Sequence, residues 1–143
     1  MDEQDPAHQD ERNSAHRDAN RIRDLDAFAD ASDVFGPEAA MAHLRLFGTE
    51  LEQHLSWIER GTPDLQALQD MAHRTAGRAG VLGFPSLANA SANLDEASGL
   101  NAGVTAALDH WTWQARRAAE IAARETDQAA LDANTSRSDG PDN

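Results

Sequence analysis

The sequence predicts an all-α fold, an antiparallel up-and-down four-helix bundle with an additional short N-terminal helix. Its composition favours helices over sheets, because hydrophobic residues make up 40% of the 143 positions, many of them alanine, while tyrosine is absent and β-branched residues are few. Apolar residues recur three and four positions apart through the middle of the chain, which is the helical period. Four substantial amphipathic segments with short connections are typical of a bundle of antiparallel neighbours.

The composition of the two ends differs from that of the middle. Residues 1–20 are acidic and polar, and residues 132–143 are polar and rich in turn-forming residues, so we expect both to be disordered tails around a bundle over residues 21–131. The N-terminal segment has no apolar core of the kind that a signal peptide needs, and no run of about eighteen apolar residues could span a membrane. The chain is therefore expected to be cytoplasmic.

Charge and cysteine content exclude several classes of function. Twenty-five acidic residues against twelve basic ones give a formal charge of -13, which argues against nucleic acids and anionic membranes as partners. The absence of cysteine excludes disulfides, thiol chemistry and cysteine-ligated metals. No two histidines are spaced four apart as a helical metal site would need, so no metal site is expected.

The first two helices are predicted from apolar stripes. A short leading helix is indicated by a narrow apolar face of Ile22, Leu25, Phe28 and Ala29. The second helix opens after Gly36, with Pro37 and Glu38 suited to its first turn, and Gly61 ends it. Its stripe consists of Met41, Leu44, Phe47, Leu51, Leu55 and Ile58.

The third and fourth helices are separated by a Gly-Phe-Pro turn over residues 83–85. Thr62 is the expected N-cap of the third helix and Pro63 its first residue. Its inward stripe is Leu65, Leu68, Ala72, Thr75, Ala79 and Leu82. The fourth helix opens at Pro85 and Ser86 and is expected to stop at Gly99, with a stripe of Leu87, Ala90, Leu94 and Ala97.

The last helix is predicted from Val104 to about Leu131. Its stripe continues through Leu108, Trp111, Ala115, Ala118 and Ala122. Trp113 lies about 200° from Trp111 around this helix, so we expect it to pack under the leading helix, with a partner contact as the alternative.

His73 is the residue that the packing pattern leaves unexplained. It lies at the edge of the third helix's buried stripe and faces outward, in a row with Gln66, Gln69, Asp70, Gly77 and Gly80. Each mid-helix glycine costs up to about 1 kcal/mol relative to alanine, so stability alone does not favour two of them. The row predicts a flat strip over which another protein can approach a nucleophilic imidazole. Close helix packing inside the bundle is the alternative for the two glycines.

The residues around His73 carry a family resemblance. An alanine precedes the histidine, glycines follow at four and ten positions, leucines follow at fourteen and twenty-one, and an acidic residue comes next. In this order the residues are Ala72, His73, Gly77, Gly83, Leu87, Leu94 and Asp95. The pattern resembles that of the histidine-containing phosphotransfer (Hpt) domains of bacterial phosphorelays, over residues 71–97 as a motif and 21–131 as a fold.

The resemblance implies a phosphoryl carrier and not an autonomous enzyme. His73 would accept the phosphoryl group from an aspartyl phosphate on a receiver domain and pass it to another receiver aspartate. The implied partners are receiver domains of hybrid histidine kinases and response regulators, which would supply Mg²⁺, so the chain would need no cofactor of its own. The chain has no glycine loop of the ATP-binding kind. The family's single-domain members imply a monomer.

One position departs from the family pattern. Hpt domains commonly carry a lysine three residues after the histidine, where this chain has Ala76 and contains no lysine at all. Arg74 and Arg78 flank the site, and either could approach a phosphate through its long side chain, although helical phase places neither directly above the imidazole. The departure also supports an alternative, an Hpt-like adaptor that docks receivers or kinases without carrying phosphate.

Other candidate groups are expected to be structural or solvated. We expect this for the remaining five histidines. A surface histidine without a functional role is also the alternative for His73 itself. Carboxylate pairs such as Asp95 with Glu96 and Glu50 with Glu52 are typical of glycoside hydrolases, but we expect them on exposed helix faces of a bundle too small to form a concave pocket.

Overall fold

The computed structural model describes residues 21–61 and 63–138, with side chains described as far as residue 135. Five helices and no strand are present in these ranges, which confirms the all-α class. The helices are α1 (Leu25–Phe35), α2 (Pro37–Glu59), α3 (Leu65–Leu82), α4 (Pro85–Leu100) and α5 (Val104–Ser138). Residues 1–20 and 139–143, parts of the two predicted tails, lie outside the described residues, as does Thr62.

Helices α2 to α5 form the bundle, and α1 lies against one end of it. The closest packing joins α3 to α4, α2 to α5 and α4 to α5, whereas α2 and α3 touch only slightly and α1 packs on both of them. Helices α2 and α5 run antiparallel, since Gly48 faces Ala122 while Glu59, further along α2, pairs with the earlier residue Arg116 on α5. None of the helices in the described part of the chain combines the length and apolar character that crossing a bilayer requires.

The core is made from the stripes predicted for α2 to α5. The face predicted for the leading helix is wrong, because Leu25 is 62% exposed and Ala29 is exposed, while Ala31 is the buried residue of α1. The buried cluster includes Leu44, Phe47, Leu51, Leu68, Ala72, Leu82, Leu87, Leu94, Trp111 and Ala118. Met71, which the stripe for α3 did not include, is also buried. The buried Trp111 donates its indole N–H to the Ser91 hydroxyl at 2.8 Å, which fixes α5 against α4. The burial of these side chains fixes which face of α3 points toward the core.

The start of α3 differs from the prediction. Asp64 is the N-cap, and its carboxylate accepts a hydrogen bond from the Ala67 amide at 3.0 Å. The expectation that Pro63 is the first helical residue is wrong, because the helix begins two residues later at Leu65. The Asp64 carboxylate accepts from a first-turn N–H group that has no partner within the helix. With the cap at Asp64, the helix starts after Pro63 and not at it.

The ends of α4 and α5 also differ from the prediction. Helix α4 continues to Leu100 and stops at Asn101, which adopts the left-handed conformation with φ 50°. Gly99 therefore lies inside the helix and does not terminate it. Helix α5 continues to Ser138, beyond the predicted end near Leu131.

A clamp around Arg23 attaches the start of α1 to the end of α3. The Arg23 guanidinium pairs with Glu125 of α5 at 2.7 Å and donates to the carbonyls of Leu82 and Gly83. The Asp24 amide donates to the Gly83 carbonyl at 2.8 Å. Gly83 has φ 87°, and a Cβ there would collide with the Asp24 carbonyl, so only glycine fits this turn. The clamp places α1 beside the C-terminal half of α3.

Trp113 is not covered by the leading helix. Its side chain is 53% exposed, and its only aromatic or cationic contact in the described part of the chain is the Arg117 guanidinium, 5.7 Å from the ring centre. The prediction that it packs under α1 is wrong, because α1 lies on α2 and α3 while Trp113 is on α5.

Candidate functional site

His73 lies in the middle of α3 with its imidazole in solvent. The preceding Ala72 and the following Thr75 are buried and hold the helix against the core. Thr75 turns its hydroxyl back to the Met71 carbonyl at 2.8 Å, so it needs no partner on another helix. The His73 side chain is 78% exposed. The packed inner face of α3 thus leaves the His73 imidazole on the outer face of the same helix.

Asp95 of α4 holds one side of the imidazole. The Nδ1 atom of His73 lies 2.9 Å from Oδ2 of Asp95, and the side-chain amide of Gln69 donates to Oδ1 of the same carboxylate at 3.1 Å. Both carboxylate oxygens are therefore engaged by α3. The contact was not expected from the sequence, although Asp95 closes the motif and follows Leu94, whose burial orients this face of α4.

This contact lowers the pKa of Asp95. The hydrogen bond to His73 is the main cause, partial burial acts in the opposite direction, and the Gln69 amide adds to the lowering. Because an ionised carboxylate can only accept hydrogen bonds, His73 must be the donor through Nδ1–H. In the neutral ring the other nitrogen, Nε2, then carries a free lone pair.

The two glycines of the row border open space. Gly77 and Gly80 are exposed, and a Cβ built at either would meet no atom within 4 Å. Close helix packing inside the bundle is therefore the wrong explanation for them. They leave a strip of bare backbone along α3 on the C-terminal side of His73.

An apolar groove runs beside this strip. Its volume is about 600 Å³, and it extends from His73 and Gly77 to Phe35 at the end of α1 and Val81 near the end of α3. Phe35 and Val81 are each 51% exposed. The His43 ring from α2 lies beside Phe35, with ring centres 5.8 Å apart. These three residues were not predicted as site residues, because they lie off the buried stripes and only the placement of α1 brings Phe35 to α3.

The two flanking arginines have different environments. Arg78 forms an ion pair with Glu50 of α2 and lies 5.4 Å from the centre of the Phe47 ring. Arg74 is exposed, and no residue in the described ranges forms a hydrogen bond or ion pair with it. It lines the clefts on both sides of His73. Ala76 is half-buried and contributes only a methyl group.

His54 of α2 lies in the cleft behind Arg74. Burial lowers the pKa of His54, and the positive charge of Arg74 lowers it further. His54 therefore stays neutral near pH 7, and the positive charge of this cleft belongs to the arginines. On the other side of His73, the cleft next to Arg74 contains two carboxylates, Asp70 and Asp95.

The arrangement provides an exposed imidazole whose Nδ1 is hydrogen-bonded to Asp95, with open approach along α3 and, in the described residues, an unpaired Arg74 next to it. Within residues 21–61 and 63–138, no three histidine or carboxylate side chains are placed to hold a metal ion.

The hydrogen bond to Asp95 predicts a pH-dependent contribution to stability. A folded-state pKa below the ordinary value of about 3.9 means that the stabilisation is complete above that value and is lost as the pH falls through the folded pKa. We expect Asp95→Asn to lower the free energy of unfolding at pH 7 by up to about 1 kcal/mol, because the pair is partly exposed.

Urea unfolding of wild type and Asp95→Asn between pH 7 and pH 3 measures the difference in their free energies of unfolding. This difference should shrink toward zero at the acidic end. In a His73→Gln background the effect of Asp95→Asn at pH 7 should be much smaller, because its main cause is gone. A difference that stays constant over the whole pH range would contradict the assignment.

Comparison with known proteins agrees with this geometry. The family model for the Hpt domain matches residues 42–133, which include α3 and α4 and most of α2 and α5. Neither the curated proteins nor the solved structures include a significant match to the chain. The family match covers more than half of the sequence and includes His73 and Asp95. The chain therefore belongs to the Hpt domain family, the histidine phosphotransfer modules of two-component signalling.

Proposed function

We propose that this protein is a cytoplasmic, monomeric phosphoryl carrier in a phosphorelay, with His73 as the residue that is phosphorylated. The observation that supports this most directly is the hydrogen bond between His73 Nδ1 and Asp95, because it leaves Nε2 with the free lone pair in a side chain that is 78% exposed. The carrier receives the group from the receiver domain of a hybrid histidine kinase and delivers it to the receiver domain of a response regulator.

The transfer step uses the fixed tautomer. The Nε2 lone pair attacks the phosphorus of the receiver's aspartyl phosphate in line, the N–P bond forms, and the P–O bond to the aspartate breaks. The receiver's carboxylate leaves as an anion, and the proton stays on Nδ1. Positive charge develops on the ring during attack, and the Asp95 carboxylate next to Nδ1 stabilises it.

Onward transfer reverses these changes. A second receiver aspartate attacks the phosphorus, the N–P bond breaks, and the imidazole leaves neutral because Nδ1 already holds a proton. The receiver supplies Mg²⁺ and most of the surrounding charge, while the bundle supplies the nucleophile and its orientation. The same His73 thus acts as acceptor and donor without its own ATP site.

The strip and the groove are the surface on which a receiver docks. Bare backbone at Gly77 and Gly80 allows a partner to approach α3 closely next to His73. Exposed Phe35 and Val81 offer apolar contact area beside it. Docking here would exclude water from the reacting atoms.

We assign to Arg74 the role of the missing lysine, which is to neutralise the negative charge of the phosphoryl group. A phosphoryl group adds about 1.5 to 2 negative charges, next to Asp70 and Asp95 in an already acidic chain. Arg78 is held by Glu50, and Ala76 has no charge to offer. Arg74 is next to His73 and has no ion-pair partner in the described residues, so its guanidinium is available to the phosphate.

A second candidate function comes from Ala76. If a cation at this position were required for transfer, the protein would dock receivers as an adaptor without being phosphorylated. The docking surface fits both functions, so phosphorylation itself separates them.

Phosphorylation is tested with a radiolabelled phosphorylated receiver. We expect wild type to acquire acid-labile, base-stable label and His73→Gln to acquire none, because glutamine cannot act as the nucleophile. His43→Gln is the matched control, since it removes the other imidazole that lines the groove and should still be labelled. An unlabelled wild type would support the adaptor, whereas full labelling of His73→Gln would refute His73 as the phosphorylated residue.

The role of Arg74 is tested by measuring the rate of phosphoryl transfer in the same assay. Arg74→Ala should slow transfer about tenfold, because a charge-assisted contact to the phosphoryl group is lost. Arg78→Ala should slow it by less than about threefold, since that guanidinium is engaged by Glu50. Ala76→Lys should restore most of the rate in the Arg74→Ala background. Equal losses for the two arginine variants, without rescue by lysine, would refute the assignment.

A further inference from the structure

Gly99 has no role in ending its helix or in the docking strip. It is exposed and lies within α4, whose end is made by the left-handed Asn101 one residue after Leu100. A glycine inside a helix costs up to about 1 kcal/mol relative to alanine. Some other constraint must therefore account for a missing side chain at this position.

The side chain of Gln69 occupies the space above Gly99. A Cβ at Gly99 would lie 2.7 Å from Nε2 of Gln69, which is closer than a carbon and a nitrogen atom can approach without one of them moving. The amide of Gln69 thus rests on the backbone of α4. In this position its Nε2 donates to Oδ1 of Asp95 at 3.1 Å.

The four residues form two matched pairs across the contact between α3 and α4. Gln69 and His73 are one turn apart on α3, and Asp95 and Gly99 are one turn apart on α4. Asp95 is the only member that contacts both residues of α3, through Oδ1 to Gln69 and through Oδ2 to His73. Gln69 thus acts on the imidazole through the carboxylate and not directly.

We propose that Gln69, seated over Gly99, is a positioning residue that fixes the Asp95 carboxylate and through it the tautomer and orientation of His73. This inference rests on the proposed phosphoryl transfer by His73. The torsion that turns a carboxylate is soft. A hydrogen bond to one carboxylate oxygen of Asp95 therefore fixes the direction of the second oxygen, which an unanchored carboxylate would not maintain. An amide that donates to the carboxylate behind a histidine acts like the outer contacts that orient histidine ligands and catalytic histidines.

Loss of this anchor has a defined chemical effect. When Asp95 turns toward solvent, the neutral His73 ring also populates the tautomer with its proton on Nε2. In that tautomer the nitrogen facing the receiver has no lone pair, and the N–P bond cannot form until the proton moves. The anchor therefore increases the fraction of molecules that are ready to accept the phosphoryl group.

Gly99→Ala separates this role from stability. The atoms that the new methyl group would strike belong to the far end of a flexible side chain, so the Gln69 amide can move aside without disturbing the bundle. Alanine should also strengthen the helix. We therefore expect Gly99→Ala to be as stable as wild type or more stable, and to transfer the phosphoryl group more slowly. A purely structural role for Gly99 would not produce this combination.

The experiment measures the ring ¹⁵N shifts of His73 in the unphosphorylated protein at about pH 8.5, where imidazoles are neutral, together with the transfer rate from a phosphorylated receiver. Gln69→Leu and Gly99→Ala should both increase the Nε2–H tautomer and slow transfer at least threefold. Gln66→Leu is the matched control, because Gln66 lies in the same row but donates to Asp70, and it should change neither quantity.

The outcomes are distinguishable. Labelling of wild-type His73 with an unchanged tautomer or an unchanged rate in both variants would overturn the positioning role and leave the proposed function intact. Absence of labelling on wild-type His73 would overturn the proposed function and this inference together. An equal effect of Gln66→Leu would show that the loss of any amide from this row is responsible, which also overturns the role assigned to Gln69.

Discussion

The hydrogen bond between His73 and Asp95 is the constraint on which the site depends, and it crosses the contact between two helices. Helix α3 carries the imidazole, and α4 carries the carboxylate. Rotating either helix by one residue, about 100°, would separate the two groups. The close packing of α3 on α4 and the turn at Gly83, with buried Phe84 beyond it, set that register. The buried core is thus a condition for the chemistry on the surface.

The rest of the molecule determines what can reach the free nitrogen. The Arg23 clamp holds α1 beside α3 and brings Phe35 to the apolar groove. Glu50 engages Arg78, so the local charge of the cleft does not follow from counting arginines. In a chain with net charge -13, an Arg74 without an ion-pair partner in the described residues is a specific feature beside His73 and not part of a general basic surface.

Periodicity and the histidine motif predict a large part of this arrangement, because both are patterns of spacing along the chain. The five helices, the buried faces of α2 to α5 and the exposed His73 follow from spacing, whereas the buried face of α1 does not. The starts of α2 at Pro37 and of α4 at Pro85 are also predicted, whereas the cap of α3 at Asp64 and the end of α4 at Asn101 depend on local conformations that spacing does not encode. Spacing also does not predict how side chains of different helices meet. The hydrogen bond from His73 to Asp95, the Gln69 amide over Gly99 and the exposure of Trp113 all depend on how the helices are placed against each other.

The atom that carries phosphorus tests the central claim most directly. If Asp95 keeps the proton on Nδ1, the phosphoryl group must be bonded to Nε2 of His73. Heteronuclear NMR of the ¹⁵N-labelled protein, phosphorylated by a receiver domain, measures the nitrogen that couples to phosphorus. We expect coupling to Nε2 alone. Coupling to Nδ1, or to a ring other than that of His73, would contradict it.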